Sequence, residues 1–265
     1  MMHGRILRMR LPPTNAAAYH HAMSRRVCVH LLPELFEPED LRGGVAVVID
    51  VLRASTTIIS ALAAGASAVI PVGTVDEAQR VVQQFPSGTA LLGGERGGMK
   101  IPGFDLGNSP DEYVPNRVGS QTIVFTTTNG TKALLRTKQA HRVFFGAFAN
   151  IGALVAALQQ DKAPIHLICA GSDGHVTRED VLFAGEVIKR LPGKFEPNDA
   201  ARIAMDVAAL GTPETIHTAL QESLGGANLR ALGQDSDIAF AAKIDRFAVV
   251  PELSTSDGRI VLPAS

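Results

Sequence analysis

Residues 45–66 read VAVVIDVLRASTTIISALAAGA and decide the fold class of this chain. The opening run of Val and Ile is typical of a strand that is buried on both faces of a parallel sheet. The segment after it predicts a helix that Ser55 or Thr56 caps and that ends at Gly65. A buried strand followed at once by a helix is the repeating unit of α/β proteins.

The same alternation of strand and helix continues along the chain. We therefore predict a layered α/β/α fold with a mostly parallel or mixed sheet. Further strands are predicted at SAVIPVG (67–73), TALLGGE (89–95), QTIVFT (121–126), RVFFGAF (142–148) and PIHLICAG (164–171). A shift of 73 residues places 55–62 on 128–135 and 67–73 on 140–146. This leaves two alternatives open, an internal βαβ duplication and two βαβ units that merely share a pattern.

Composition excludes several classes of partner. The chain has 265 residues, enough for a full core without disulfides, and 25 Lys+Arg against 26 Asp+Glu give a net charge of −1. Such a chain has no general attraction for nucleic acid or for an anionic membrane. Its 2 Cys fit a reducing, cytoplasmic compartment. We expect a small anionic molecule as the partner, and leave a homo-oligomer open.

The first 22 residues differ from the rest. Arg5, Arg8 and Arg10 are not followed by the apolar core of a secretory signal. We predict a disordered extension over residues 1–22, with a transit peptide as the alternative, and a single α/β domain over residues 23–265.

Asp50 ends the first predicted strand, and Arg53, Thr56 and Thr57 follow it. Ligands of open α/β sheets collect at the carboxyl ends of strands. A carboxylate among Val and Ile residues also needs a cation, a metal ion or N–H donors. The alternative is an ion pair between Asp50 and Arg53 that only stabilises the turn.

A second junction, TTTNGT (126–131), joins a predicted strand to a predicted helix. Its hydroxyls and its free backbone N–H groups suit a phosphate or a sulfonate. An ordinary capped helix is the alternative. We predict that the residues in contact with substrate here are Thr127, Thr128, Asn129, Gly130 and Thr131.

The Gly-rich stretch GGERGG (93–98) and the nearby GFDLGNSP (103–110) form a third candidate. Glu95 offers a carboxylate for a metal ion, and Arg96 offers a guanidinium for an anion. Asp105, Asn108 and Ser109 add polar groups. The alternative is a flexible turn with a solvated salt bridge.

The chemistry of these candidates favours magnesium over zinc. The 8 His have no spacing typical of a zinc site. Carboxylates at strand and helix ends suit Mg²⁺, and the candidate ligands are Asp50, Glu95, Asp105 and Asp180. We attribute the adjacent Glu179 to the first turn of its helix, where acidic residues are favoured anyway.

Four motifs, taken in order, resemble the 2-phosphosulfolactate phosphatase family of coenzyme M biosynthesis. They are DVLRASTTI (50–58), GGERGG with IPGFDLGNSPDEY (93–113), TTTNGTKAL (126–134) and CAGSDG with EDVLFAGEVI (169–188). The resemblance covers approximately residues 26–252. It implies an α/β fold and Mg²⁺-dependent hydrolysis of 2-phosphosulfolactate to sulfolactate and phosphate.

Roles within the motifs are our own hypothesis. We assign catalysis to Asp50, Arg53, Glu95 and Arg96, and substrate binding to Thr56, Thr57, Asn108, Ser109 and the 127–131 segment. Two alternatives stay open. One is a non-catalytic domain that binds a phosphorylated metabolite, and the other is a phosphatase for a different phosphorylated hydroxy acid.

Overall fold

The structure is a computed structural model that describes residues 24–209 and 213–263. The predicted extension, residues 1–22, lies outside the described residues. Within them, eleven strands form one sheet. The strands are β1 (Arg25–His30), β2 (Val45–Ile49), β3 (Ala68–Pro71), β4 (Ala90–Arg96), β5 (Met99–Lys100), β6 (Thr122–Thr126), β7 (Arg142–Gly146), β8 (Ile165–Cys169), β9 (Phe195–Pro197), β10 (Glu252–Leu253) and β11 (Ile260–Val261).

Ten α-helices accompany the sheet in the same described ranges. They are α1 (Ala54–Ala63), α2 (Val75–Val82), α3 (Pro115–Val118), α4 (Gly130–Leu135), α5 (Ile151–Gln160), α6 (Arg178–Arg190), α7 (Asp199–Ala209), α8 (Pro213–Gln221), α9 (Leu224–Ala231) and α10 (Asp235–Ala241). None of these helices combines the length and the apolar composition that are needed to cross a membrane.

Two blocks of parallel strands make up most of the sheet. One block pairs β9, β1, β8, β2 and β7, and the other pairs β4, β6 and β3. The short strands β10 and β11 join the blocks, because β10 pairs antiparallel with β7 and β11 pairs antiparallel with β3. The predicted sheet is confirmed, in its mixed form.

The two βαβ units that a shift of 73 residues superposes follow the same course. The path β2–α1–β3 leads from the first block to the second, and β6–α4–β7 leads back. The last strand of each unit pairs in parallel with the first strand of the other. A duplication stays a prediction.

The residues of β2 show why the fold is layered. Val45, Val47 and Ile49 point to one face of the sheet, where they join a core that includes α5 and α6. Ala46 and Val48 point to the opposite face, where they join a second core that includes α1 and α4. Alternate residues of a strand face opposite sides, so a continuous apolar run requires helices on both. The α/β/α prediction is confirmed.

The start of α1 differs from the prediction. The helix begins at Ala54, so Ser55 and Thr56 lie inside its first turn and neither is the N-cap. The carboxylate of Asp50 accepts a hydrogen bond from the N–H of Ala54 at 3.1 Å. Asp50 therefore satisfies a free backbone N–H group of the first turn, the capping role that was predicted for Ser55 or Thr56.

Candidate functional site

A cleft of about 370 Å³ opens where several strands end. Residues that follow β2, β4, β6 and β8 line it on one side, and α9 lines it on the other. Its charged lining residues are three carboxylates, Asp50, Glu95 and Asp173, and one guanidinium, that of Arg53. The lining carries a net negative charge and contains no aromatic side chain from the described residues.

Asp50 lies at the base of this cleft with 7% of its surface exposed. The pKa of its carboxyl group is raised to about 7, mainly by burial and also by the nearby carboxylates of Glu95 and Glu179, while the hydrogen bond from Ala54 opposes the rise. The charge of Asp50 is thus poorly compensated by the protein, as expected of a carboxylate that meets a cation.

Glu95 organises the opposite wall through two backbone hydrogen bonds. Its Oε1 accepts from the N–H of Thr128 at 2.7 Å, and its Oε2 accepts from the N–H of Gly98 at 2.8 Å. One carboxylate therefore holds the segment after β6 and the turn after β4. Each of its oxygens retains lone-pair capacity toward the cleft.

Arg53 lines the cleft but does not pair with Asp50. Its Nη1 donates to Asp237 at 2.6 Å and to Gln234 at 2.6 Å, and its Nη2 donates to the carbonyl of Gly98 at 2.7 Å. The peptide bond between Leu52 and Arg53 is cis. The predicted alternative of an Asp50–Arg53 ion pair is not what the structure shows, because Arg53 pairs with Asp237.

Two buried oxygen atoms at the cleft have no hydrogen-bond partner among the described residues. They are Oδ1 of Asn108 and Oγ1 of Thr128. Buried polar atoms are nearly always hydrogen-bonded in native structures, so each indicates a group that the protein itself does not supply. A bound ligand or metal ion would satisfy both.

The other residues predicted after β6 fall into two groups. Asn129 lines the cleft with Thr127 and Thr128, and its Oδ1 accepts from the N–H of Asp173 at 3.1 Å. Gly130 and Thr131 are not among the residues that line the cleft. Thr131 Oγ1 instead accepts a long hydrogen bond, 3.4 Å, from the N–H of Thr127.

Three further residues predicted to contact substrate lie behind the cleft surface. Thr56 and Thr57 are fully buried, and their hydroxyls donate to the carbonyls of Val51 and Asn108 at 2.8 Å each. Ser109 donates to Asp237 at 2.6 Å. Their assignment to substrate stays a prediction, while the geometry has them support residues that do line the cleft.

Arg96 is not among the residues that line the cleft. It is the last residue of β4, and its guanidinium donates to the Oγ1 of Thr126 at 2.9 Å and to the backbone carbonyl of Glu95 at 2.7 Å. Glu95 lines the cleft, whereas the guanidinium of Arg96 is held by Thr126 and by the backbone of Glu95. The assignment of catalysis to Arg96 stays a prediction.

The four predicted metal ligands do not all line the cleft. Asp50 and Glu95 line the cleft, whereas Asp105 is exposed and its Oδ2 accepts from the N–H of Leu92 at 2.8 Å. Asp180 uses both carboxylate oxygens on the ends of two strands, accepting from Val51 N–H and Gly171 N–H. Across the described residues, no group of three or more His, Cys, Asp or Glu side chains could hold a metal ion.

Three residues at this site are not among the predicted site residues. Asp237 is buried behind Arg53, and Asn228 of α9 lines the cleft. Glu179, attributed above to its helix, is 2% exposed, has an unpartnered Oε2, and has a pKa raised by burial. None of the three follows a strand directly, so the strand-end criterion could not find them.

The fold and the cleft define a layered α/β protein with a small, acidic pocket at its strand ends. A family model described as 2-phosphosulpholactate phosphatase matches residues 30–256. The chain belongs to this family.

Curated relatives agree over most of the chain. One, named as a probable 2-phosphosulfolactate phosphatase of Carboxydothermus hydrogenoformans, is 40% identical over 236 residues, 87% of this chain and 96% of that protein. Relatives of the same name from Synechococcus sp. (strain JA-3-3Ab) and Thermotoga petrophila are 43% and 41% identical. They match 83% and 78% of this chain, and 92% and 88% of their own lengths.

Proposed function

We propose that this protein is a Mg²⁺-dependent phosphatase that hydrolyses 2-phosphosulfolactate to sulfolactate and phosphate. The observation that carries the proposal is the convergence of Asp50 and Glu95 on one small cleft beside Arg53. The names of the relatives supply the substrate. The excess of carboxylates over guanidinium groups in the cleft favours a metal ion, which in turn would attract an anionic substrate.

The cleft fits Mg²⁺ by its charge and by its donor atoms. The proposed substrate carries a phosphate, a sulfonate and a carboxylate, yet the lining offers three carboxylates against one guanidinium. A divalent cation would resolve this repulsion. Mg²⁺ is usually held by one or two carboxylates with waters and substrate phosphate, so Asp50 and Glu95 would suffice. When bound, it neutralises charge on the phosphoryl oxygens.

The protein's own groups have the task of placing the substrate. Phosphoryl transfer is mostly positioning and electrostatic stabilisation. Glu95 fixes the backbone of Thr128 and Gly98 as walls of the cleft, and Arg53 places a positive charge beside Gly98. Asp50 is the group at the phosphoryl end, either as the nucleophile or as the acceptor of a proton from attacking water.

The size and lining of the cleft favour a small acid over a nucleotide. A volume of about 370 Å³ accommodates a three-carbon acid with its charged groups. Nucleotide sites commonly offer an aromatic ring for the base to stack on, and this cleft has none from the described residues.

A phosphate-release assay tests the proposal. 2-Phosphosulfolactate is compared with 2-phospholactate and 2-phosphoglycerate, each with Mg²⁺ and with excess EDTA. We expect fastest release from 2-phosphosulfolactate and none with EDTA. Faster release from an acid without a sulfonate would make this protein a phosphatase for another hydroxy acid. Tight binding of every monoester without release would indicate a non-catalytic binding domain.

A further inference from the structure

We propose that Asp237, on helix α10, is a positioning residue of the cleft that acts through Arg53, with Gln234 as its assistant. The proposal rests on the proposed function, because its main measurement is turnover. The contacts that support it are those of Asp237 on α10 and of Gln234, the N-cap residue that precedes this helix.

Asp237 connects two segments that line the cleft. It is 1% exposed; its Oδ2 accepts from Arg53 Nη1 and its Oδ1 accepts from Ser109 Oγ, both at 2.6 Å. Arg53 follows β2, and Ser109 lies beside Asn108, whose Oδ1 has no partner. The buried carboxylate of Asp237 therefore holds both the guanidinium of Arg53 and the hydroxyl of Ser109, the neighbour of Asn108.

Gln234 completes the arrangement of the guanidinium. Its Oε1 accepts from Arg53 Nη1 at 2.6 Å, while Arg53 Nη2 donates to the carbonyl of Gly98 at 2.7 Å. These contacts hold Arg53 against the wall of the cleft. Without these contacts, the guanidinium would be drawn to the carboxylates of Asp50 and Glu95, which line the same cleft. It would then compete with the proposed Mg²⁺ for these two carboxylates.

Stability alone does not account for this ion pair. A buried ion pair is weak evidence for stability, because desolvation offsets much of the attraction between its charges. α10 is already docked by apolar side chains, including Ile238 and Ala241, which are fully or almost fully buried. The ion pair between Asp237 and Arg53 is better explained by its effect on the guanidinium, which it holds against the wall of the cleft.

A double-mutant cycle tests the proposal. kcat and KM for 2-phosphosulfolactate with Mg²⁺ are measured for Asp237→Asn, Arg53→Met and the double variant. Asp235→Asn is the control, because Asp235 is exposed on the same helix. We expect Asp237→Asn to raise KM about tenfold or more with a smaller change in kcat, and to have less than about a twofold effect in the Arg53→Met background.

Two outcomes of the cycle would overturn the proposal. One is a lower melting temperature of Asp237→Asn with wild-type KM, which a purely structural role predicts. The other is effects on kcat/KM that multiply in the double variant. If Asp237→Asn does not fold, Gln234→Ala decides, because it removes an acceptor of Arg53 without leaving the buried charge unpaired. KM should then rise about threefold, and only when Arg53 is present; an unchanged KM contradicts the proposal.

Failure of the proposed function can be distinguished from failure of this inference. If the wild-type protein releases no phosphate from any monoester, the proposed function is wrong. Binding of inorganic phosphate with Mg²⁺ then tests Asp237 by calorimetry. Weaker binding by Asp237→Asn than by Asp235→Asn supports the positioning role, and equal binding or no binding in both overturns it.

Discussion

Gly130 lies directly against the carboxylate of Asp50. A Cβ atom on residue 130 would stand 3.0 Å from Oδ2 of Asp50 and 2.8 Å from the Cβ of Ala54. The start of α4 can therefore approach the start of α1 only because residue 130 has no side chain. This approach brings the segment after β6 to the acidic base of the cleft.

The first prediction concerns Gly130→Ala. Within a helix this change ordinarily stabilises by about 0.5–1 kcal/mol. Here we expect overpacking to cost about 1–3 kcal/mol in the free energy of unfolding. Because Asp50 must move, we expect phosphate release to fall at least about tenfold. Urea unfolding and a phosphate-release assay measure the two effects.

Gly73→Ala is the matched control for this variant. Its Cβ would meet only Oε2 of Glu77, at 3.5 Å, an ordinary contact. Wild-type activity in both variants would show that the approach of Gly130 to Asp50 has no role in the site.

The second prediction concerns a buried histidine pair away from the cleft. Nε2 of His30 lies 3.1 Å from Nδ1 of His166. The pKa of His30 is lowered from 6.5 to about 4, mainly by burial and also by His166, while Asp40 opposes the change. The folded state thus keeps His30 neutral below the pH at which the unfolded chain takes up a proton.

The contribution of this pair to stability is complete above pH 6.5 and is lost as pH falls toward about 4. We expect the difference in unfolding free energy between wild type and His30→Gln to shrink across this window by up to about 3 kcal/mol. Urea titrations at several pH values measure it. A parallel pH dependence in His30→Gln and wild type would contradict the prediction.

The third prediction concerns the strands that join the two parallel blocks. Ile260 of β11 is fully buried and pairs with Val69, whereas Leu262 is 37% exposed. We expect Ile260→Ala to lower the free energy of unfolding by about 2–5 kcal/mol, and Leu262→Ala to lower it by less than about 1 kcal/mol. Equal urea midpoints for the two variants would show that the junction of the blocks does not depend on this side chain.

Much of the fold could be predicted from the sequence because its strands are buried on both faces. An apolar run such as VAVVI followed by a helix has few alternatives to a buried strand of an α/β sheet. The pairing of β10 and β11 between the two blocks could not be predicted, because each of these strands has two residues and pairs with partners far along the chain.

The candidate site could be predicted only in part, and the reasons are physical. Asp50 directly follows β2 and Glu95 is the penultimate residue of β4, so a search of strand ends points to both. The guanidinium of Arg96 bonds to Thr126, a residue of a neighbouring strand, and this contact exists only in the folded sheet. The carboxylates of Asp105 and Asp180 accept from backbone N–H groups that only folding brings near them. Asp237 lies on a helix 184 residues from Arg53 along the chain, so no local sequence pattern predicts the contact between them.

The most direct test of the proposed function is phosphate release from 2-phosphosulfolactate by Asp50→Asn, with Mg²⁺ varied. Asp206→Asn is the control, because Asp206 is exposed on α7. We predict that Asp50→Asn lowers kcat/KM by on the order of 10³-fold and that Asp206→Asn stays within about twofold of wild type. Full Mg²⁺-dependent turnover by Asp50→Asn would contradict the account.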